Sequence, residues 1–277
     1  MPTIKSWLDN SAKQLSDIGI ASARLDVELI LAHTVRKSRT YLHAHENDSL
    51  SSREYEVANA RLELRLDRVP IAYIIGHKEF YGRRFKVSTA TLIPRPESEN
   101  MIELLKDTLY KLNNKKYKTL VDIGTGSGCI GITAKLEIPE LSVTLSDIDN
   151  GALYVANYNA DKYQVDIDII KSDLLQRYPI NPDIILANLP YVDRSWDLSP
   201  ETRHEPKIAL FANNNGRDLI EKLIYQSTVR QLNDSLLFLE ADPWQHTSII
   251  NFAHKHGYAH LETRDYIIAF SKLSVGG

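Results

Sequence analysis

The chain has 277 residues, 43% of them hydrophobic, and sets 33 Lys and Arg against 36 Asp and Glu for a formal net charge of −3. That length exceeds the usual single domain and the apolar content can bury two cores, so two domains are expected. The single cysteine, Cys129, excludes a disulfide framework and argues against a structural zinc site, in keeping with a reducing cytoplasm; no apolar run approaches the roughly eighteen residues that span a bilayer, and the first six residues lack a secretory h-region.

The first 68 residues read as helices. Ser6 or Ser22 can cap helix starts, and Leu25, Leu29, Ala32, His33 and Val35 approximate a one-sided apolar stripe. Ser51-Ser52-Arg53-Glu54 introduces a further helix through Val57, Ala60 and Leu64. The pairs His43/His45 and His254/His256 have no metal-ligand company and read as surface or packing residues. Residues 1–90 carry 14 Lys and Arg against 11 Asp and Glu, a modest basic bias that a solvated helical surface explains.

From residue 69 the pattern changes. Tyr73-Ile74-Ile75-Gly76 and the run from Glu79 to Val87 are strand-like and broken by glycine, which predicts a hairpin. Leu92-Ile93-Pro94-Arg95-Pro96-Glu97-Ser98-Glu99 is a stiff turn leading into a helix over 98–112, and Lys115, Lys116 and Lys118 form a solvated link. The expected division is a helical domain over 1–70, a linking β-hairpin over 71–92 and an α/β domain over 93–277.

Thr119-Leu120-Val121-Asp122-Ile123 is a β-branched apolar run leading into Gly124-Thr125-Gly126-Ser127-Gly128. Strand, glycine loop and helix in that order predict a nucleotide-type cofactor site, with free N–H groups of the loop facing the ligand. Val143-Thr144-Leu145-Ser146 reads as the next strand, and Asp147 at its tip is positioned to accept from both hydroxyls of a ribose. A Gly-x-Gly-x-x-Gly match runs from Gly126 to Gly131, but the strand ends at Gly124, two residues too early for a dinucleotide loop. Asp122 suits the amino-acid portion of S-adenosylmethionine better than a pyrophosphate. Ile167-Asp168-Ile169-Ile170 reads as a third strand, after which Asp173 can accept from an adenine amine while Leu174 packs on the ring.

The buried-strand run Ile184-Ile185-Leu186-Ala187 precedes Asn188-Leu189-Pro190-Tyr191. The Asn188 amide oxygen and the Leu189 carbonyl are two acceptors; Pro190 fixes its own φ and forces Leu189 away from helix; Tyr191 offers a flat face. Such a clamp grips an NH₂ on a planar group, a carboxamide or an aminopurine, and suits N-methylation with no metal.

Together these segments resemble the bacterial release-factor glutamine methyltransferases, the HemK or PrmC family, over nearly the full length. The similarity includes Ser22-Ala23-Arg24-Leu25-Asp26, Pro70 to Gly76, Glu79-Phe80-Tyr81-Gly82, Leu92 to Glu99, Asp122 to Gly128, Asp147, Asn188 to Tyr191, Glu205-Pro206, Ala209-Leu210 and Gly216. The resemblance implies a Rossmann-like class I methyltransferase domain preceded by a small helical bundle. The implied reaction moves a methyl group from S-adenosylmethionine to the glutamine of the Gly-Gly-Gln motif of peptide chain release factors. The resemblance also implies a glutamine site at Asn188 to Tyr191 and a cofactor pocket lined by Gly124 to Gly128, Asp147, Leu174 and Asn188, with the helical domain holding the release factor.

Three departures stand out. Leu189 replaces the usual proline, giving a tetrapeptide familiar in methyltransferases acting on adenine N6 in RNA; Leu174 stands where an aromatic residue is common; and the family's Glu-Ile-Gly pattern reads Glu240-Ala241-Asp242. The alternative readings are therefore an adenine N6-methyltransferase acting on RNA or DNA, against which the net charge of −3 argues, and a non-catalytic module binding release factors or ribosomes. The leading expectation is an intracellular enzyme with release factors as partners and no direct contact to nucleic acid or membrane.

Overall fold

The computed structural model describes every residue except 113–116, 231–233 and 274–277, so Lys115 and Lys116 of the expected link lie outside the described residues. The chain divides into two units, Met1–His77 with Leu198–His204, and Lys78–Asp197 with Glu205–Gly277.

The first unit holds α1 (Ile4–Asp17), α2 (Ala23–Val35), α3 (Arg39–Ala44), α4 (Ser52–Leu66) and α5 (Ile71–Ile75). Thr3, rather than Ser6, caps α1, its hydroxyl accepting from the Ser6 N–H at 3.2 Å. Ser22 is the N-cap residue of α2 but makes no side-chain cap bond. Ser51 and Glu54 close a reciprocal capping box on α4, as the Ser-x-x-Glu spacing dictates. The buried face of α2 runs through Ala23, Val27, Ile30 and Leu31, while Leu25 of the expected stripe is exposed. Asp26 and Glu28 are buried on the same helix, paired with Arg65 and with Arg24 and Arg39, so apolar periodicity does not mark its inner face; packing between α1 and α4 does. In α4, likewise, Ala58 and Leu62 are buried and Leu64 is exposed.

Tyr73-Ile74-Ile75 is helical, not a strand. Pro70 holds the N-cap with φ −55°, Gly76 ends the turn in the left-handed region at φ 75°, and packing on α2 and α4 overrides the strand propensity of the isoleucines. The hairpin begins later, as β1 (His77–Phe80) and β2 (Arg83–Lys86) joined by Tyr81-Gly82, both at positive φ. The excursion Leu198–His204 is fixed within this first unit. The Glu201 carboxylate accepts from Arg65 at 3.2 Å and Arg68 at 3.3 Å, and His204 Nε2 reaches the Asp67 carbonyl at 3.0 Å.

In the second unit, α6 (Glu99–Lys111), β3 (Thr119–Ile123), α7 (Cys129–Glu137), β4 (Ser142–Asp147), α8 (Asn150–Tyr163), β5 (Asp168–Lys171) and β6 (Ile184–Ala187) are followed by two short turns, α9 (Lys207–Leu210) and α10 (Asn213–Gly216). Then come α11 (Asp218–Arg230), β7 (Leu236–Glu240), α12 (His246–Lys255), β8 (Tyr258–Arg264) and β9 (Ile267–Lys272). The strands form one sheet in the order β5-β4-β3-β6-β7-β9-β8, parallel except for β9, which runs antiparallel to both its neighbours.

Alternation along the strands sorts the core into two layers. Leu120, Val143, Leu145, Leu186 and Phe238 pack on α6, α7 and α8, while Val121, Ile123, Ile185, Leu237 and Leu239 pack on α11 and α12. The chain steps from β3 to β4 on one side and returns to β6 on the other, so the strand order reverses beside β3. Such a reversal opens a crevice at the carboxyl ends of β3, β4 and β6. Gly131 lets α7 approach the sheet: a Cβ there would stand 2.3 Å from Leu145 Cδ2 and 2.9 Å from Asp122 Cβ.

Candidate active site

A cavity opens at that crevice. Ile123, Gly124, Thr125, Gly126 and Ser127 line it after β3, Asp147 to Asp149 after β4, Ser172 to Leu174 after β5, and Asn188, Leu189 and Pro190 after β6. A further wall comes from Ala90 to Leu92, Pro94, Arg95 and Ser98, with Ile208, Ala209 and Leu219 completing it. Most residues read as site candidates from the sequence therefore converge, although they span 67 positions of the chain from Gly124 to Pro190.

Three candidates stand behind this lining, each for a physical reason. Asp122 is fully buried and faces the protein interior, where its Oδ2 accepts from the Thr125 hydroxyl at 2.6 Å and the Gly131 N–H at 2.9 Å. These bonds tie the glycine loop to the start of α7. Burial, together with the nearby Asp147 charge, pushes its carboxyl up to about 6 against the pull of those two hydrogen bonds. Gly128, at φ 80°, is the N-cap residue of α7, where a Cβ would meet Ile132 at 2.8 Å. Tyr191 is pinned at both ends: its hydroxyl donates to Glu240 Oε1 at 3.2 Å, and its carbonyl accepts from Gln245 Nε2 at 2.9 Å. A Cβ at Gly216 would fall 1.9 Å from that same carbonyl, which accounts for glycine there. Burial, then the Glu240 charge, raises the Tyr191 phenol, so it remains a neutral donor.

The remaining candidates face the cavity. Asp147 accepts from the N–H groups of Gly126 and Asp149, each at 2.9 Å, and these bonds hold the loop against the strand tip while burial raises the carboxyl. Asp149 caps α8 through the Ala152 N–H at 2.9 Å. Asp173 lines the cavity, but its carboxylate is already paired with Lys222 at 2.8 Å. Leu174 sits beside it, buried, at φ 51°. Asn188 donates from Nδ2 to Ser98 Oγ at 3.1 Å. Among the described residues, no donor reaches Asn188 Oδ1 or the Leu189 carbonyl, so neither acceptor is spent within the protein, and both residues line the cavity.

Sequence reading missed the wall over 90–98 as part of the site, along with Glu205, Glu240 and Ser98. Glu205 is buried and holds that wall, accepting from the Ile93 N–H at 3.1 Å and from Arg95 Nη2 at 2.6 Å. Glu240 ends β7 and accepts from Ser98 Oγ at 2.6 Å. The available signal was a charged residue ending an otherwise wholly apolar strand run, Leu236-Leu237-Phe238-Leu239-Glu240. Among the described residues, no group of three or more His, Cys, Asp or Glu could hold a metal ion, and no helix is long and apolar enough to cross a membrane.

S-adenosylmethionine fits the chemistry of this lining. The N–H groups of Gly124, Thr125, Gly126 and Gly128, expected from the sequence to face a ligand, donate instead to Ser146, Asp147 and Thr125; the lining offers an acidic group at the tip of the second strand for a ribose and an apolar floor at Leu174 for an adenine ring.

Comparison with known proteins agrees with this architecture. Residues 6–76 match the PrmC N-terminal domain and residues 102–204 the methyltransferase small domain. The chain is 30% identical to the release factor glutamine methyltransferase of Coxiella burnetii, covering 99% of both chains. It is 32% identical to the bifunctional methyltransferase of Rickettsia bellii over 92% of its own length but spans only 51% of that relative. A methyltransferase structure from Pyrococcus furiosus superposes with a TM-score of 0.53 at 16% identity, covering 78% of this chain and 98% of that one, and shares the fold.

Proposed function

The chain belongs to the release factor glutamine methyltransferases, and from that membership we propose that it transfers a methyl group from S-adenosylmethionine to the side-chain nitrogen of the glutamine in the Gly-Gly-Gln motif of peptide chain release factors. The observation that carries the reading is the pair of acceptors not spent within the protein, Asn188 Oδ1 and the Leu189 carbonyl, on residues that line the cofactor cavity. Two acceptors on adjacent residues match the two N–H bonds of a primary amide. Its partners are release factors, and its working compartment is the cytoplasm where they act.

An amide nitrogen is a weak nucleophile because its lone pair is delocalised into the carbonyl. Holding both N–H bonds fixes the nitrogen toward the donor, and the two oxygens stabilise the positive charge that develops on it. Bound S-adenosylmethionine supplies the methyl group on a sulfonium, whose thioether is the leaving group. Asp147 and the loop from Gly124 to Ser127 hold the donor, with Leu174 against its ring. Leu189 in place of proline leaves the clamp carbonyl intact and frees one φ, a difference below about 1 kcal/mol.

Labelled-donor assays with a folded release factor and an adenine-containing RNA, run side by side, test the reading. Label should enter the release factor and not the RNA. Label in the RNA alone would make this an adenine enzyme.

A further inference from the structure

One buried acid has no part in the mechanism above. Glu240 is 1% exposed, ends β7 opposite Ile267, and touches the substrate clamp from behind through Ser98, Tyr191 and Asn188 itself. Ser98 Oγ donates to its Oε2 at 2.6 Å, and the Tyr191 hydroxyl donates to its Oε1 at 3.2 Å. Asn188 Nδ2 in turn donates to Ser98 Oγ at 3.1 Å. Ser98, itself 2% exposed, lies between the two.

A hydroxyl has one proton to give. Ser98 spends it on the Glu240 carboxylate, so Oγ can only accept from Asn188, which must present its nitrogen inward and its oxygen to the cavity. Orientation of the Asn188 amide is thus decided two residues away. We propose that Glu240 is a positioning residue for methyl transfer: through Ser98 it fixes the polarity of the Asn188 amide, so that an acceptor and not a donor meets the substrate's NH₂. This inference rests on the clamp proposed above, but not on which NH₂-bearing substrate occupies it.

The relay runs in reverse when Glu240 is protonated. An acid O–H can donate to Ser98 Oγ, the serine proton then points to Asn188, and the amide turns its NH₂ outward against the NH₂ it should bind. Burial pushes the Glu240 carboxyl up to about 7; the Glu97 charge adds to that, while hydrogen bonds from Ser98, Tyr191 and Asn188 oppose it. The other titratable groups in this surround are the Tyr191 phenol, raised, the Cys129 thiol, pushed up to about 12, and Asp122, up to about 6; Arg95 and Tyr266 act on Tyr191. Among these, only Glu240 and Asp122 change charge between pH 5 and 8, and Asp122 answers to Thr125 and Gly131 instead of the clamp. The clamp therefore gains its working polarity as pH rises through about 7.

Glu240→Gln tests this, because a glutamine NH₂ can donate to Ser98 as the protonated acid does. With whichever of the release factor and the adenine RNA the wild type methylates, kcat/KM should rise through pH 7 in the wild type. In the variant it should be about 10²-fold lower at pH 8 and flat from pH 6 to 8.5. Calorimetric affinity for S-adenosylmethionine should stay within threefold, which a collapsed site would not allow. If Glu240→Gln fails to fold, Ser98→Ala removes the hydroxyl between Glu240 and Asn188 and should lower kcat/KM at pH 8 with S-adenosylmethionine affinity kept. Independently of any substrate, the Asn188 side-chain amide resonances in NMR should titrate near pH 7 in the wild type. Wild-type rates in the variant, an acid limb that persists without Glu240, or Asn188 resonances that ignore pH would each overturn the proposal; label in RNA instead of protein would overturn only the reading it rests on.

Discussion

Replacing Asn188 by alanine removes one of the two acceptors at the clamp while leaving β6, Pro190 and the glycine loop as they are. Loss of one well-placed group of this kind typically costs about 10² to 10³ in rate. Single-turnover methyl transfer by Asn188→Ala should fall by that factor, with S-adenosylmethionine affinity within a few-fold of wild type; near-normal single-turnover rates would remove Asn188 from the clamp. The backing residues explain why the position is so constrained. Gly216 lies against the Tyr191 carbonyl and Gln245 bonds it, so the backbone of the tetrapeptide is held from behind, as Ser98 holds the Asn188 nitrogen.

At the level of elements, the segment over 90–98 behaves as a wall because one buried carboxylate holds it. Glu205 satisfies the Ile93 N–H and pairs with Arg95, whose side chain is about a third exposed, so the pair is screened on one side only. Glu205→Ala leaves that N–H unsatisfied and loosens the wall, with an expected cost of about 2 kcal/mol in stability and a several-fold weaker affinity for S-adenosylmethionine. Denaturant unfolding and calorimetry measure both; an unchanged affinity would mean the wall does not touch the donor. How much of this was legible in the sequence follows from the range of the interactions. The strand, loop and helix around Gly124 to Gly128 are set by local chemistry and read correctly, as does the Ser51 cap. Tyr73-Ile74-Ile75 did not, because a five-residue helix held by Pro70, Gly76 and its neighbours has no period long enough to read. Asp122 is ambiguous in the sequence, because both a cofactor ligand and a loop organiser put a carboxylate before the glycines; its bonds to Thr125 and Gly131 show the second role. Glu205 and Glu240 act across 112 and 142 positions of sequence, beyond any local pattern.

For the whole molecule, the division of labour is a proposal that kinetics can examine. The helical unit carries none of the residues that line the cofactor cavity. Removing residues 1–70 should raise KM for the release factor at least tenfold through lost docking surface. Calorimetric affinity for S-adenosylmethionine should change by less than about threefold; an unchanged KM would deny the helical unit a role in docking.

The most direct measurement is mass spectrometry of a release factor incubated with the enzyme and labelled donor, then digested and fragmented to locate the added methyl group. A single methyl on the side-chain nitrogen of the Gly-Gly-Gln glutamine is expected, present with the wild-type enzyme and lost with Asn188→Ala. A methyl group at any other residue, or an unmodified glutamine beside methylated RNA, would contradict it.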